Sequence, residues 1–100
     1  MIMFYVTFPT KEEAEKLVNK LVEKELIACA SIFPVTSVYK WEGKVENSSE
    51  FIAVLKTKKE LEKEVREFIA KNHSYQVPCI LNWEAKANDK YNDWINEVTK

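Results

Sequence analysis

Four side chains in this 100-residue sequence carry chemistry beyond packing: His73, the only histidine, Arg66, the only arginine, and the two cysteines, Cys29 and Cys79. His73, in KNHSYQVP, is a candidate metal ligand or general base, because imidazole binds metals readily and titrates near neutrality. It also closes an amphipathic segment, where a histidine that caps free carbonyls is explained by the helix dipole alone. Cys29, in LIACAS, and Cys79, in VPCIL, lie in apolar runs where a free thiol acts as a small hydrophobe. No C-x-x-C and no spaced histidine pair occurs, so a structural zinc site within one chain is excluded. A Cys–His nucleophile would need one thiol beside His73 in space and an orienting acid. No such acid–base pair is assembled in the sequence, and the chain reads as a non-enzyme. Symmetric association changes the metal arithmetic, since one ligand per chain becomes several at a shared interface.

Tyr39, Trp41, Tyr75, Trp83, Tyr91 and Trp94 are large anchors with polar tips, the types that fill cores and interfaces. An RNA reader of the RRM kind needs a basic-Gly-aromatic start, which SEFIAVLK lacks. The formal net charge of −1 leaves no basic stripe for nucleic acid. Acylphosphatase chemistry would want an arginine in a phosphate loop, and Arg66 falls mid-helix.

These residues must be positioned by a small domain. At 46% apolar and 31% charged, the composition is globular, and residues 1–100 read as one domain. MIMFYVTFP lacks a basic leader and a cleavage site, so it reads as a first strand, and no run reaches bilayer length. Two cysteines without a secretory signal predict reduced thiols and a cytoplasmic setting. Thr10 and Glu13 form a capping-box pattern, followed by Ala14, Leu17, Val18, Leu21 and Val22 on one face and a predicted end near Glu25. The pattern recurs with Thr57 and Glu60 before Leu61, Val65, Phe68 and Ile69. Each box follows a strand-like run and each helix precedes another. The order βαββαβ predicts an α+β, ferredoxin-like split-βαβ sandwich. A last amphipathic piece, Tyr91, Trp94, Ile95 and Val98, predicts a C-terminal helix capped near Asn88 or Asp89.

Ile27 to Lys56 is almost all strand-like, with one turn signal at Gly43, the only glycine. This predicts a hairpin with arms beyond the usual five or six residues. Glu42 disfavours positive φ, which argues against a type I′ turn and for a bulge. Val38, Tyr39, Trp41 and Val45 on the outer arm need cover from another subunit.

LIACASIFPVTSVYKWEGKVENSSEFIAVLKT, HSYQVPCIL and YNDWI together resemble the CutA family of divalent-ion tolerance proteins. The matching positions include Cys29, Ser37, Tyr39, Trp41, Glu42, Gly43, Lys44, Glu50, Lys56, Thr57, His73, Tyr75, Gln76, Pro78 and Trp94. The resemblance implies a cytoplasmic homotrimer with hairpins packed between subunits, and weak binding of divalent ions such as copper. No nucleic-acid or membrane partner and no obligatory cofactor are implied. The family's likeness to trimeric PII signalling proteins implies, alternatively, a small-ligand sensor acting through a protein partner. The implied ligand cleft draws on Cys29, Tyr39, Trp41, Glu50, Lys56 and Tyr75. Ser74 replaces the usual proline and Cys79 an acid. Val6 and Asn72 stand where some members carry a cysteine and a second histidine for copper. His73 and Cys79 are left as the candidate ligands for Cu²⁺ or Zn²⁺.

Overall fold

A computed structural model describes residues 1–100. Alternation writes the first strand, β1 (Ile2–Phe8), where Ile2, Phe4, Val6 and Phe8 are buried and the residues between them only partly so. The first helix, α1 (Lys11–Glu23), starts as its cap dictates: the Thr10 hydroxyl accepts the Glu13 N–H at 3.1 Å. Its buried stripe is Ala14, Leu17, Val18 and Leu21. It ends two residues earlier than the periodicity predicts, because Glu25 adopts φ 58° and turns the chain away.

The hairpin strands β2 (Cys29–Trp41) and β3 (Lys44–Thr57) are 13 and 14 residues long. They join through Glu42 (φ 50°) and Gly43 (φ 80°). Two residues with positive φ between the paired Trp41 and Lys44 are the signature of a type I′ turn. The sequence argument against that turn is overturned. The strands' right-handed twist prefers I′ strongly enough to hold even a glutamate at positive φ. Open space around Gly43 shows that conformation, not crowding, explains its glycine.

The second capping box does not form. Thr57 is still in β3, fully buried, and its hydroxyl donates to the Leu26 carbonyl at 2.6 Å. A single 3₁₀ turn (Lys59–Leu61) leads into α2 (Glu62–Asn72), and neither start has a side-chain cap. A buried hydroxyl beside an unpaired carbonyl gains more from that bond than from an exposed cap. The short β4 (Ile80–Glu84) and α3 (Asp89–Val98) complete the chain. Asn88 is at the N-cap position of α3, as predicted, but makes no capping bond.

The sheet order is β2-β3-β1-β4, antiparallel throughout, which is the ferredoxin-like arrangement. Leu55, Phe4, Val6 and Ala53 form its core face against Leu17, Leu21, Val65 and Ile69 of α1 and α2. On the opposite face, pairing lines up Ser31, Val54, Tyr5 and Leu81, and beside them Cys29, Lys56, Met3 and Trp83. From Val35 to Trp41 the hairpin is only two strands wide. The radius of gyration, 14.2 Å, exceeds the roughly 12.7 Å of a compact chain of this length. The accessible surface, 6505 Å², likewise exceeds the roughly 5,900 Å² of a compact monomer of this mass.

Candidate functional site

Where the hairpin leaves the sheet, the loop between α2 and β4 crosses the end of β1 and encloses a cleft of about 550 Å³. Its walls are Ser37, Val38, Tyr39, Trp41 and Glu50 from the hairpin, Thr7 from β1, and Tyr75, Gln76, Val77 and Cys79 from the loop.

His73 fastens that loop. Its ring stacks on Phe8 with centroids 4.7 Å apart. Nε2 lies 2.7 Å from the Thr7 carbonyl, which only accepts, so Nε2 carries the proton. Nδ1 is then free to accept the Tyr75 N–H at 3.0 Å. The side chain is wholly buried, although the residue's backbone meets solvent. Glu13 holds the next residue, accepting the Ser74 hydroxyl at 2.7 Å. The serine that departs from the family pattern is thus tied back to α1.

Glu50 is the polar centre of the cleft. It is 7% exposed, and one carboxylate oxygen accepts the Tyr75 hydroxyl at 2.5 Å. Its other oxygen accepts no hydrogen bond from the protein and keeps some exposure to solvent. None of the chain's ion pairs includes Glu50. Burial, reinforced by the bond to Glu50, pushes the Tyr75 phenol far above the usual range. Burial first, and the Glu50 charge second, push the Cys79 thiol up.

The cleft residues implied by resemblance therefore divide. Tyr39, Trp41, Glu50 and Tyr75 converge, with Cys79 among them. Cys29 and Lys56 do not belong to this cleft. They sit at the other end of the sheet, where the Tyr91 hydroxyl lies 3.3 Å from Cys29 Sγ and accepts from Lys56 Nζ at 3.2 Å. That bond is the chief cause raising the Lys56 ammonium, against an opposing effect of burial. Thr7, Ser37, Val38, Gln76 and Val77 also line the cleft and were not among the residues expected there. Only the folding-back of the 73–79 loop brings them together, and nothing in their local spacing reports it. No group of three His, Cys, Asp or Glu side chains is placed to hold a metal ion. Within this chain His73 and Cys79 gain no third donor, and both imidazole nitrogens hydrogen-bond to the backbone.

The comparisons with known proteins agree with this architecture. A family model described as CutA1 divalent ion tolerance protein matches residues 2–98. The chain belongs to the CutA family. It is 43% identical to the divalent-cation tolerance protein CutA of Pyrococcus horikoshii over 101 residues, covering 100% of this chain and 99% of that one. A crystal structure of CutA1 from the same organism matches with TM-score 0.97 at 42% identity, covering 100% and 99% of the two chains. The periplasmic divalent cation tolerance protein CutA from Archaeoglobus fulgidus matches with TM-score 0.95 at 40% identity, covering 100% of both. The CutA fold is thus shared in full, hairpin and α3 included. No helix of this chain is long and apolar enough to cross a membrane.

The Tyr75 phenol gives a pH test of the cleft. An unfolded tyrosine loses its proton near pH 10, whereas Tyr75 in the fold holds it to higher pH. Above about pH 10 the unfolded state therefore binds fewer protons, and stability falls with a slope of up to about 1.4 kcal/mol per pH unit from this group. Below pH 10 the group makes no contribution to the slope. Tyrosinate absorbance at 295 nm in Tyr75→Phe is expected to reach its plateau at lower pH than in the wild type, with a flatter alkaline loss of stability. Identical titration curves would show Tyr75 to be freely solvated.

Proposed function

We propose that this chain is a non-enzymatic, cytoplasmic homotrimer that contributes to divalent-cation tolerance by holding ions such as Cu²⁺ or Zn²⁺ weakly at sites completed between subunits. The observation that carries this reading is the donor count. Glu50 and Cys79 open onto one cleft, but two donors are too few to fix an ion tightly. A neighbouring copy would supply the remainder, and the exposed hairpin supports such a neighbour: Val38 is 64% and Val45 63% exposed. The two free thiols support a reducing compartment, although the Archaeoglobus relative is described as periplasmic.

Calorimetric titration with Cu²⁺ and Zn²⁺ tests the site. Cys79→Ala is expected to weaken binding about tenfold or more, in line with loss of one ligand. Unchanged affinity in both Cys79→Ala and Glu50→Gln would remove the ion from this cleft.

A further inference from the structure

Away from the Glu50 cleft, three side chains converge at the opposite end of the sheet. They are the Cys29 thiol on β2, the Lys56 ammonium paired with it on β3, and the Tyr91 phenol that α3 brings to both. Chemistry fixes the direction of the bonds. An ammonium only donates, so the Tyr91 oxygen accepts from Lys56 Nζ at 3.2 Å. The one phenolic proton is then free for Cys29 Sγ, 3.3 Å away. Trp94 packs on the Tyr91 ring at a centroid distance of 5.6 Å, and Lys56 Nζ lies 5.2 Å from the centre of that ring. Lys56 has no carboxylate: it takes part in none of the chain's ion pairs, and its one side-chain hydrogen bond is the one to Tyr91. A cation without an acid, linked through a phenol to a sulfur, is completed by a negative charge on that sulfur.

We propose that Cys29 is an oxidation site, at which a hydroperoxide converts the thiolate to a sulfenate held by the Tyr91 hydroxyl and, through it, by Lys56. The thiolate sulfur attacks one oxygen of hydrogen peroxide, and the S–O bond forms as the O–O bond breaks. Sulfur gives up two electrons to the peroxide. The departing hydroxide takes the proton of the new S–O–H group, leaving sulfenate and water. Sulfenate carries the same single negative charge as thiolate, so one donor and one cation serve both states. Cys29, Lys56 and Tyr91 are each half-buried, which admits a molecule of two heavy atoms. All three belong to one chain, so the arrangement does not depend on how subunits meet. Cys79 lies beside the Glu50 cleft, and the stretch of β3 from Glu50 to Lys56, roughly 20 Å long, keeps it from closing a disulfide with Cys29. The inference is independent of divalent-cation tolerance, since it uses no metal and no ligand from the cleft.

The test is peroxide treatment at neutral pH in buffer containing a chelator, with dimedone to trap sulfenate and mass spectrometry to locate the adduct. Cys79 is the internal reference, because burial first and the Glu50 charge second hold the proton on its sulfur. Cys29 is expected to be labelled at least about tenfold faster than Cys79. Tyr91→Phe removes the hydroxyl and keeps the ring, and Lys56→Met removes the charge and keeps the stem. Each is expected to slow Cys29 at least about threefold, because the loss of thiolate is partly offset by a more nucleophilic sulfur. Cys79 should be unaltered in both, whereas a loosened fold would speed both thiols. Equal labelling of the two cysteines in the wild type, or a Cys29 rate that survives either change, overturns the proposal. A second measurement needs no variant. Replacing neutral iodoacetamide with anionic iodoacetate should shift alkylation of the wild type toward Cys29, which faces Lys56, and away from Cys79, which faces Glu50. An unchanged ratio of the two products would overturn it as well.

Discussion

Replacing His73 with Ala is expected to cost about 3 kcal/mol of folding stability and to leave divalent-ion affinity unchanged. The cost has three sources. The ring is wholly buried against Phe8, so its loss opens a void beside a core aromatic. The Thr7 carbonyl loses the Nε2–H donor, and the Tyr75 N–H loses its acceptor. For a domain of this size such a change lowers Tm by on the order of 12–24 °C, provided that unfolding is two-state. The unchanged affinity follows from the same contacts, because a metal at either nitrogen would first have to break one of them. Paired urea denaturation and Cu²⁺ titration decide the matter. A drop in affinity of tenfold or more, with stability little altered, would make His73 a ligand. His73→Ala should also loosen the cleft, because Tyr75 reaches Glu50 from the loop that the ring anchors.

The contrast with the sequence is sharpest at this residue. From the sequence His73 was either a helix-end residue or a metal ligand or base, and its position at the end of α2 was correctly read. Its partners lie 66 residues away at the end of β1 and two residues ahead on the backbone. No local pattern reports such a long-range contact. The capping boxes teach the same lesson from opposite sides. Thr10 caps α1 because its hydroxyl is exposed and has only the helix to bind. Thr57, with the same spacing to a glutamate, is claimed by the buried Leu26 carbonyl, and the helix starts without it. Strands and helices were legible because alternation and 3.6-residue periodicity are local consequences of burial. The split between the Glu50 cleft and the Cys29–Lys56–Tyr91 cluster was not. β3 carries both Glu50 and Lys56, roughly 20 Å apart at the rise of an extended strand, but only the tertiary fold shows that the 73–79 loop meets Glu50 while α3 meets Lys56.

The second large effect is expected from the β1–β4 side of the sheet face opposite α1 and α2. Leu81→Lys combined with Trp83→Glu should convert the proposed trimer, three times 11.7 kDa, into monomers of 11.7 kDa, read by light scattering. Both residues lie on β4, on the face opposite α1 and α2, exposed by 54% and 45% respectively. They continue the row of Tyr5 and Val54 and the row of Met3, so the apolar surface is continuous across β1 and β4, with Lys56 interrupting it on β3. A stable contact removes roughly 800 Å² from each partner, and charges placed within it would have to be desolvated without partners. The hairpin demands the same outcome, since a two-stranded ribbon in water is marginal by itself and this one extends from Val35 to Trp41 beyond the sheet. Because neither β4 side chain belongs to the core, the monomer should keep the helical part of its far-ultraviolet circular dichroism spectrum, while the unsupported hairpin loses strand signal. Val22→Lys provides the control. That side chain is also exposed, but it lies on α1 on the other side of the sheet, and it should leave the mass unaltered. If the double variant retains the wild-type mass, the subunits do not meet through this face, and the hairpin must find its support elsewhere.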